Sequence, residues 1–236
     1  MNEANGTARG RTAYSQHLAQ KLLSGLTSTD GGEIIQILQA EDLDHDPAPG
    51  SAPWPADRLN ETIREFGKNS LDGILAIDLL GRLPEPATLF EQAQSSLKPG
   101  GRLVMIEPGV SLLSWPFYYF FGDRRVDFSH SPLDNHAARH GQHGNLATAS
   151  HLFNFLEHRI ELMERFPTLH CIHQEWMSIL TGPLARGIGN ASLLPEPALH
   201  PLLALENKLM PFIGRWSASK LFIVLEKRAT TSRQPN

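Results

Sequence analysis

The chain has 236 residues, 41% apolar and 19% charged, which is enough for one sizeable α/β domain with its own core. It carries 21 Lys and Arg against 25 Asp and Glu, a net charge of −4 with no basic block, which argues against a nucleic-acid partner held by phosphate neutralisation. The one cysteine, Cys171, can form no internal disulfide, so a reducing, cytoplasmic setting is the simplest expectation. A lone cysteine behaves as a small apolar residue more often than as a nucleophile. The polar N-terminus has no apolar signal region. The most apolar stretch, Val110 to Phe121, is too short to span a bilayer and contains Pro116.

In chain order, residues 1–11 read as a tail. Thr12 to Leu26 places Tyr14, Leu18, Leu22, Leu23 and Leu26 at helical spacing. Glu33 to Leu38 (EIIQIL) reads as a strand. Gln39 to Pro55 is acidic and proline-rich and reads as a loop, and Ala56 to Phe66 as a short helix or an extended approach. Leu71 to Ile77 is a second strand, Pro86 to Leu97 a helix with proline in its first turn, and Arg102 to Ile106 a third strand. Ser111 to Asn145 is irregular. Thr148 to Phe166 reads as one helix with Leu152, Phe155, Leu156, Ile160 and Met163 on its apolar face. A strand from Leu169 to Ile172 or on to Trp176, a helix over Pro197–Phe212 and a strand over Leu221–Leu225 follow, and residues 229–236 read as a second tail. Residues 12–228 thus form a single domain.

Strands alternating with helices imply a mostly parallel sheet flanked by helices. In such sheets the ligand crevice lies at the carboxyl ends of the strands. Gln39–Asp42, Asp78–Leu80 and Glu107–Gly109 therefore share one rim.

The stretch from Leu71 to Pro108 carries more specific signals. Leu71-Asp72-Gly73 opens a strand, Leu83-Pro84 makes a turn, and Lys98-Pro99-Gly100-Gly101 precedes the next strand, with Pro99 pre-setting one turn angle and glycine supplying positive φ. This set resembles the later half of a class I S-adenosylmethionine-dependent methyltransferase domain of the small-molecule type. The Phe166-Pro167 step and the closing LFIVLEKR run extend the likeness. The resemblance implies a Rossmann-like methyltransferase fold of seven strands, the last antiparallel, and S-adenosylmethionine as cofactor.

The front half departs from that pattern. The family's first strand ends in an acid-x-Gly-x-Gly turn; here Glu33–Leu38 is followed by Gln39-Ala40-Glu41-Asp42, and the next glycine is Gly50. Residues 39–70 are too few for the usual elements, and Pro47, Pro49, Pro53 and Pro55 forbid a regular helix across much of them. The front half is therefore shortened. A second alignment makes Glu33–Asp42 the family's second strand, with the first absent.

The resemblance and the rim together nominate Gln39, Glu41, Asp42, Asp78 and Leu79 for the cofactor. Glu41 or Asp42 accepts ribose hydroxyls, or both belong to a solvated acidic loop; Asp78 contacts a ligand or caps a turn. Glu107 is a general-base candidate or a structural acid, and Asp127 with His130 is the other pair suited to proton abstraction. His130, His136, His140, His143 and His151 read as exposed loop histidines, with no metal site. Trp115–Phe121 reads as a lid over an apolar acceptor, as a peripheral membrane contact, or as core. The expected activity is methyl transfer to a small-molecule or lipid/glycan acceptor. The alternative is an inactive binding or scaffolding subunit with a protein partner.

Overall fold

In the computed structural model, which describes residues 16–26, 32–38, 48–121, 125–134, 144–178 and 196–229, six strands form one sheet. They are β1 (Ile34–Leu38), β2 (Ala52–Pro55), β3 (Leu71–Ile77), β4 (Leu97–Pro108), β5 (Leu169–Met177) and β6 (Lys220–Lys227). Their order is β2-β1-β3-β4-β6-β5. The first four run parallel, and β6 is antiparallel to both β4 and β5. Helix α1 covers residues 16–24, followed by α2 (Thr62–Phe66), α3 (Pro86–Ser96), α4 (Ser114–Phe121), α5 (Thr148–Asn154), α6 (Leu156–Arg165) and α7 (Glu196–Ser217).

The period-2 pattern of the strands divides the core in two. Ile35, Ile37, Leu103, Met105, Leu221, Ile223 and Leu225 face one side and pack with Leu89 and Phe90 of α3 and with Leu152, Phe153 and Leu162 of α5 and α6. Ile34, Leu75, Val104, Ile106, Phe222 and Val224 face the other side, with Leu18 and Leu22 of α1 and Leu203 of α7. Each fully buried side chain of this size stabilises the fold by roughly 1.5–3 kcal/mol. The Lys98–Gly101 turn is inserted where the β3–β4 register shifts between Leu71 and Gly73. Gly100 has φ 83°, and a Cβ on Gly101 would lie 2.9 Å from the Lys98 carbonyl oxygen, so both glycines are required by shape.

Several expectations need correction. Ala52–Pro55, read as loop, is a strand paired with β1 through Ile35↔Ala52 to Leu38↔Pro55. It lies at the sheet edge, where Pro53 and Pro55 need no second neighbour. The helix expected over Thr148–Phe166 breaks at Phe155, which is extended at ψ 128°, and the chain restarts as α6. The break turns the supposed apolar face outward: Phe155, Leu156, Ile160 and Met163 are exposed, and Leu162 takes the core position. Strand β5 runs on to Met177 and α7 runs to Ser217. Among the described residues the sheet has one strand fewer than the seven implied by the resemblance, because the chain from Ser51 to Ser70 holds only β2, one 3-10 segment and α2.

Candidate functional site at the strand carboxyl ends

The chain leaves β1, pairs outward through β2, then returns to pair β3 on the opposite side of β1. Such a reversal opens a crevice at the carboxyl ends of the two inner strands. It also gives Ile34–Leu38 the first-strand place, between its two neighbours. Buried Gln36 accepts the Ala48 N–H at 2.7 Å, tying the approach to β2 onto β1. Past Pro55 the chain enters a 3-10 turn whose first-turn acid is Asp57, exposed on the rim. The proline-rich context hid both β2 and this acid; the signal that could have found it is an acid about 20 residues beyond the first strand's end, the usual ribose-binding spacing in doubly wound folds.

Asp78 follows β3 with φ 51°, a conformation that Asp and Asn tolerate better than most residues. Its N–H donates to the Ile106 carbonyl at 2.9 Å. Its buried carboxylate accepts from Lys220 Nζ, which reaches over from the first residue of β6. Gly109 allows that approach: a Cβ there would sit 3.1 Å from the Lys220 backbone nitrogen and 2.8 Å from the Trp176 ring. Glu107, at the end of β4, is fully buried, and its Oε1 accepts the N–H groups of Leu79 and Leu80, each at 3.0 Å. The structure thus brings Asp78, Leu79, Glu107 and Lys220 into one cluster. The side chain of Glu107 fixes the turn after β3, and that of Asp78 points toward β6.

Gln39, Glu41 and Asp42 lie outside the described residues, as do His136, His140 and His143. Asp127 and His130 form an exposed turn. Asp127 Oδ1 accepts from the Ser129 N–H and hydroxyl, and its Oδ2 lies 3.2 Å from His130 Nδ1. The Ser129 bonds, with a smaller contribution from His130, hold the Asp127 carboxyl below its usual range. Asn145 links this turn to the rim: Oδ1 accepts the Asp127 N–H, Nδ2 donates to the Asp127 carbonyl, and its own N–H donates to the Gly81 carbonyl.

His151, read as an exposed loop residue, is instead buried on α5. Its helix is held to the rim where Val110 N–H donates to Ser150 Oγ at 2.7 Å. His151 Nε2 lies 3.0 Å from His158 Nε2, and His158 Nδ1 lies 3.2 Å from Glu161 Oε2. His158 Nε2 also lies 3.5 Å from Glu157 Oε1, so a carboxylate flanks each ring nitrogen of His158. Burial, reinforced by His158, pushes the His151 imidazole below its ordinary value against the opposing pull of Glu157 and Asp127. The seven-residue spacing of His151 and His158 was a visible signal that the continuous-helix reading obscured. Burial pushes the Cys171 thiol up, consistent with a poor nucleophile.

Among the described residues, no group of three or more His, Cys, Asp or Glu could hold a metal ion, and no helix is long and apolar enough to cross a membrane. As a test of the implied cofactor, the rim supplies an exposed acid beyond β2 and the topological switch point between β1 and β3, which suit a nucleoside. It lacks glycine across residues 39–49, and the Leu79 and Leu80 N–H groups are engaged by Glu107.

No curated protein matches the chain. Among solved structures, it is similar to a S-adenosylmethionine-dependent methyltransferase from Archaeoglobus fulgidus, at 14% identity over 89% of this chain and 93% of that one, with a TM-score of 0.47. It is also similar to the geranyl diphosphate C-methyltransferase of Streptomyces coelicolor A3(2), at 12% identity over 89% and 78% of the two chains, with a TM-score of 0.45. A phosphoethanolamine N-methyltransferase of Haemonchus contortus matches at 13% identity and a TM-score of 0.41; 90% of this chain spans 53% of that longer one. A family model described as a methyltransferase domain matches residues 14–159. That match covers more than half of the 236 residues, and the chain belongs to this methyltransferase family, with a shortened version of its Rossmann-like fold.

Proposed function

We propose that the protein transfers the methyl group of S-adenosylmethionine to a small-molecule or lipid/glycan acceptor. The observation that carries this reading is the reversal of strand order at β1, which has β2 on one side and β3 on the other, in a chain of the methyltransferase family. Asp57 would accept hydrogen bonds from the ribose, with Gln39, Glu41 and Asp42 as further contacts after β1. The backbone at Asp78 and Leu79 would line the other wall. Bound there, the cofactor supplies a methyl group activated by its sulfonium.

The protein's own contribution is mainly positioning, which aligns an acceptor atom and removes orientational freedom. A base enters only for a neutral hydroxyl. Glu107 already accepts two backbone N–H groups, so the Asp127–His130 pair is the better candidate base: Asp127 Oδ2 and Ser129 Oγ both lie against His130 Nδ1 and orient the ring. A cytoplasmic setting suits the single cysteine.

The second reading, an inactive subunit that binds a protein partner, is favoured by the missing glycine turn and the occupied Leu79 and Leu80 amides. Isothermal titration calorimetry separates the two. The methyltransferase reading expects saturable S-adenosylmethionine binding that Asp57→Ala weakens about tenfold, the typical value of one charge-assisted hydrogen bond. No heat at millimolar ligand leaves the inactive reading standing.

A further inference from the structure

Two neighbouring segments expose large apolar side chains. The first comprises Leu112 and Leu113 with Trp115, Tyr119 and Phe120 of α4, and Phe120 is 73% exposed. The second is a stripe on α7 of Leu205, Leu209, Phe212, Ile213 and Trp216, and Phe212 is 82% exposed. They meet where Leu113 N–H donates to the Trp216 carbonyl at 2.9 Å, and Tyr118 adds a hydroxyl bond to the Ser219 carbonyl. Contiguous exposed apolar patches on soluble proteins mark interaction sites.

The charges beside the patch identify the partner. Lys208 and Arg215 are exposed and seven residues apart, so both lie on one flank of the α7 stripe, about a quarter turn from its centre. Glu206 is buried, and α4 carries no charge. No exposed carboxylate is found on α4 or α7 among their described side chains, although the protein as a whole is acidic. The exposed apolar residues of α6 show the contrast: Leu156, Ile160 and Met163 alternate with Glu157, Glu161 and Glu164. An exposed apolar face that includes Trp115, Tyr119 and Trp216 and is flanked by cations has the composition of a helix lying in a headgroup interface.

We infer that the α4–α7 face docks on a lipid bilayer carrying anionic headgroups. Phe120, Phe212 and their neighbours enter the acyl boundary while Lys208 and Arg215 meet the headgroups. The patch adjoins the rim, because β4 ends at Pro108 just before it and Lys220 opens β6 just after it, so docking sets the strand carboxyl ends at the membrane surface. This inference goes beyond the methyl-transfer reading and does not depend on it.

The test is co-sedimentation of the full chain with vesicles of phosphatidylcholine alone, or of phosphatidylcholine with on the order of one-third phosphatidylglycerol. The protein is expected to sediment with the anionic vesicles, with a blue shift in tryptophan emission from Trp115 and Trp216. Phe120→Ser with Phe212→Ser should lower partitioning by about tenfold or more at unchanged unfolding midpoint, since both rings are solvated in the free protein. Lys208→Glu with Arg215→Glu should lower binding to anionic vesicles by about tenfold or more. The inference is overturned by a protein that stays in the supernatant, by serine variants that sediment like the parent, or by a stable dimer that Phe212→Ser dissociates. S-adenosylmethionine titration of the same preparation keeps the two readings apart: vesicle binding without cofactor binding sinks methyl transfer alone, and the reverse sinks docking alone.

Discussion

Replacing Glu107 with alanine removes the acceptor of two buried backbone donors at once. Glu107 is fully buried, and its Oε1 receives the N–H groups of both Leu79 and Leu80 at 3.0 Å. A buried donor left without an acceptor costs about 1–3 kcal/mol, so the pair sets the loss at about 2–6 kcal/mol before any cavity term. That is a large part of the stability of an ordinary domain, about 5–15 kcal/mol. With a urea slope of about 2–3 kcal/mol/M, the unfolding midpoint should fall by roughly 0.7–3 M. Glu107→Gln keeps an oxygen in place for both donors and should cost only about 1 kcal/mol. The glutamine variant also separates framework from chemistry: if Glu107 fixes the turn, it retains S-adenosylmethionine binding and turnover, whereas a general base would lose turnover alone. The reasoning is refuted if the alanine variant unfolds within about 0.5 kcal/mol of the parent, the range of a neutral surface change. It is equally refuted if glutamine destabilises as much as alanine.

Lys220→Met strands a buried carboxylate at Asp78 and should destabilise by about 3–5 kcal/mol, with much of the loss recovered in the Asp78→Asn, Lys220→Met double variant; equal losses in the single and double variants would show that the pair is not coupled. His151 should make stability pH-dependent. Its folded pKa lies below the unfolded value of 6.5, so below that value the unfolded chain takes up the proton first, and the contribution present above pH 6.5 is lost as pH falls. Urea midpoints of the parent should therefore drop faster with acidification than those of His151→Asn, and parallel curves would exclude His151 as the cause. The charges that bias this titration are His158, Glu157 and Asp127, so Glu157→Gln should deepen the drop.

The sheet's central strands were legible because they bury side chains on both faces. Leu71–Ile77, Arg102–Ile106 and Leu221–Leu225 are near-continuous apolar runs, and the Lys-Pro-Gly-Gly turn marks its own position. Strand β2 was not legible: Ala52–Pro55 has neither alternation nor β-branched residues, and only an edge, which asks for one pairing partner, accepts it. The break at Phe155 was hidden because the i, i+3, i+4 apolar pattern runs straight through it, and only the tertiary packing of Leu162 reveals which residues face the core. At the site, strand-end topology placed Asp78, Leu79 and Glu107 on one rim without coordinates. The direction of each carboxylate was not available from sequence, because it depends on long-range partners: Lys220 is 142 residues from Asp78, and the Leu79 amide is 28 residues from Glu107. Asp57 was missed together with the strand that positions it.

The central claim is that the crevice between the carboxyl ends of β1 and β3 binds S-adenosylmethionine. Amide chemical shifts of 15N-labelled protein, followed through a titration with the cofactor, test both the binding and its place. The account predicts saturable shifts at Asp57, Asp78 and Leu79, with residues of α6 unaffected. Spectra unchanged at saturating cofactor, or shifts confined to surfaces away from the strand ends, would contradict it.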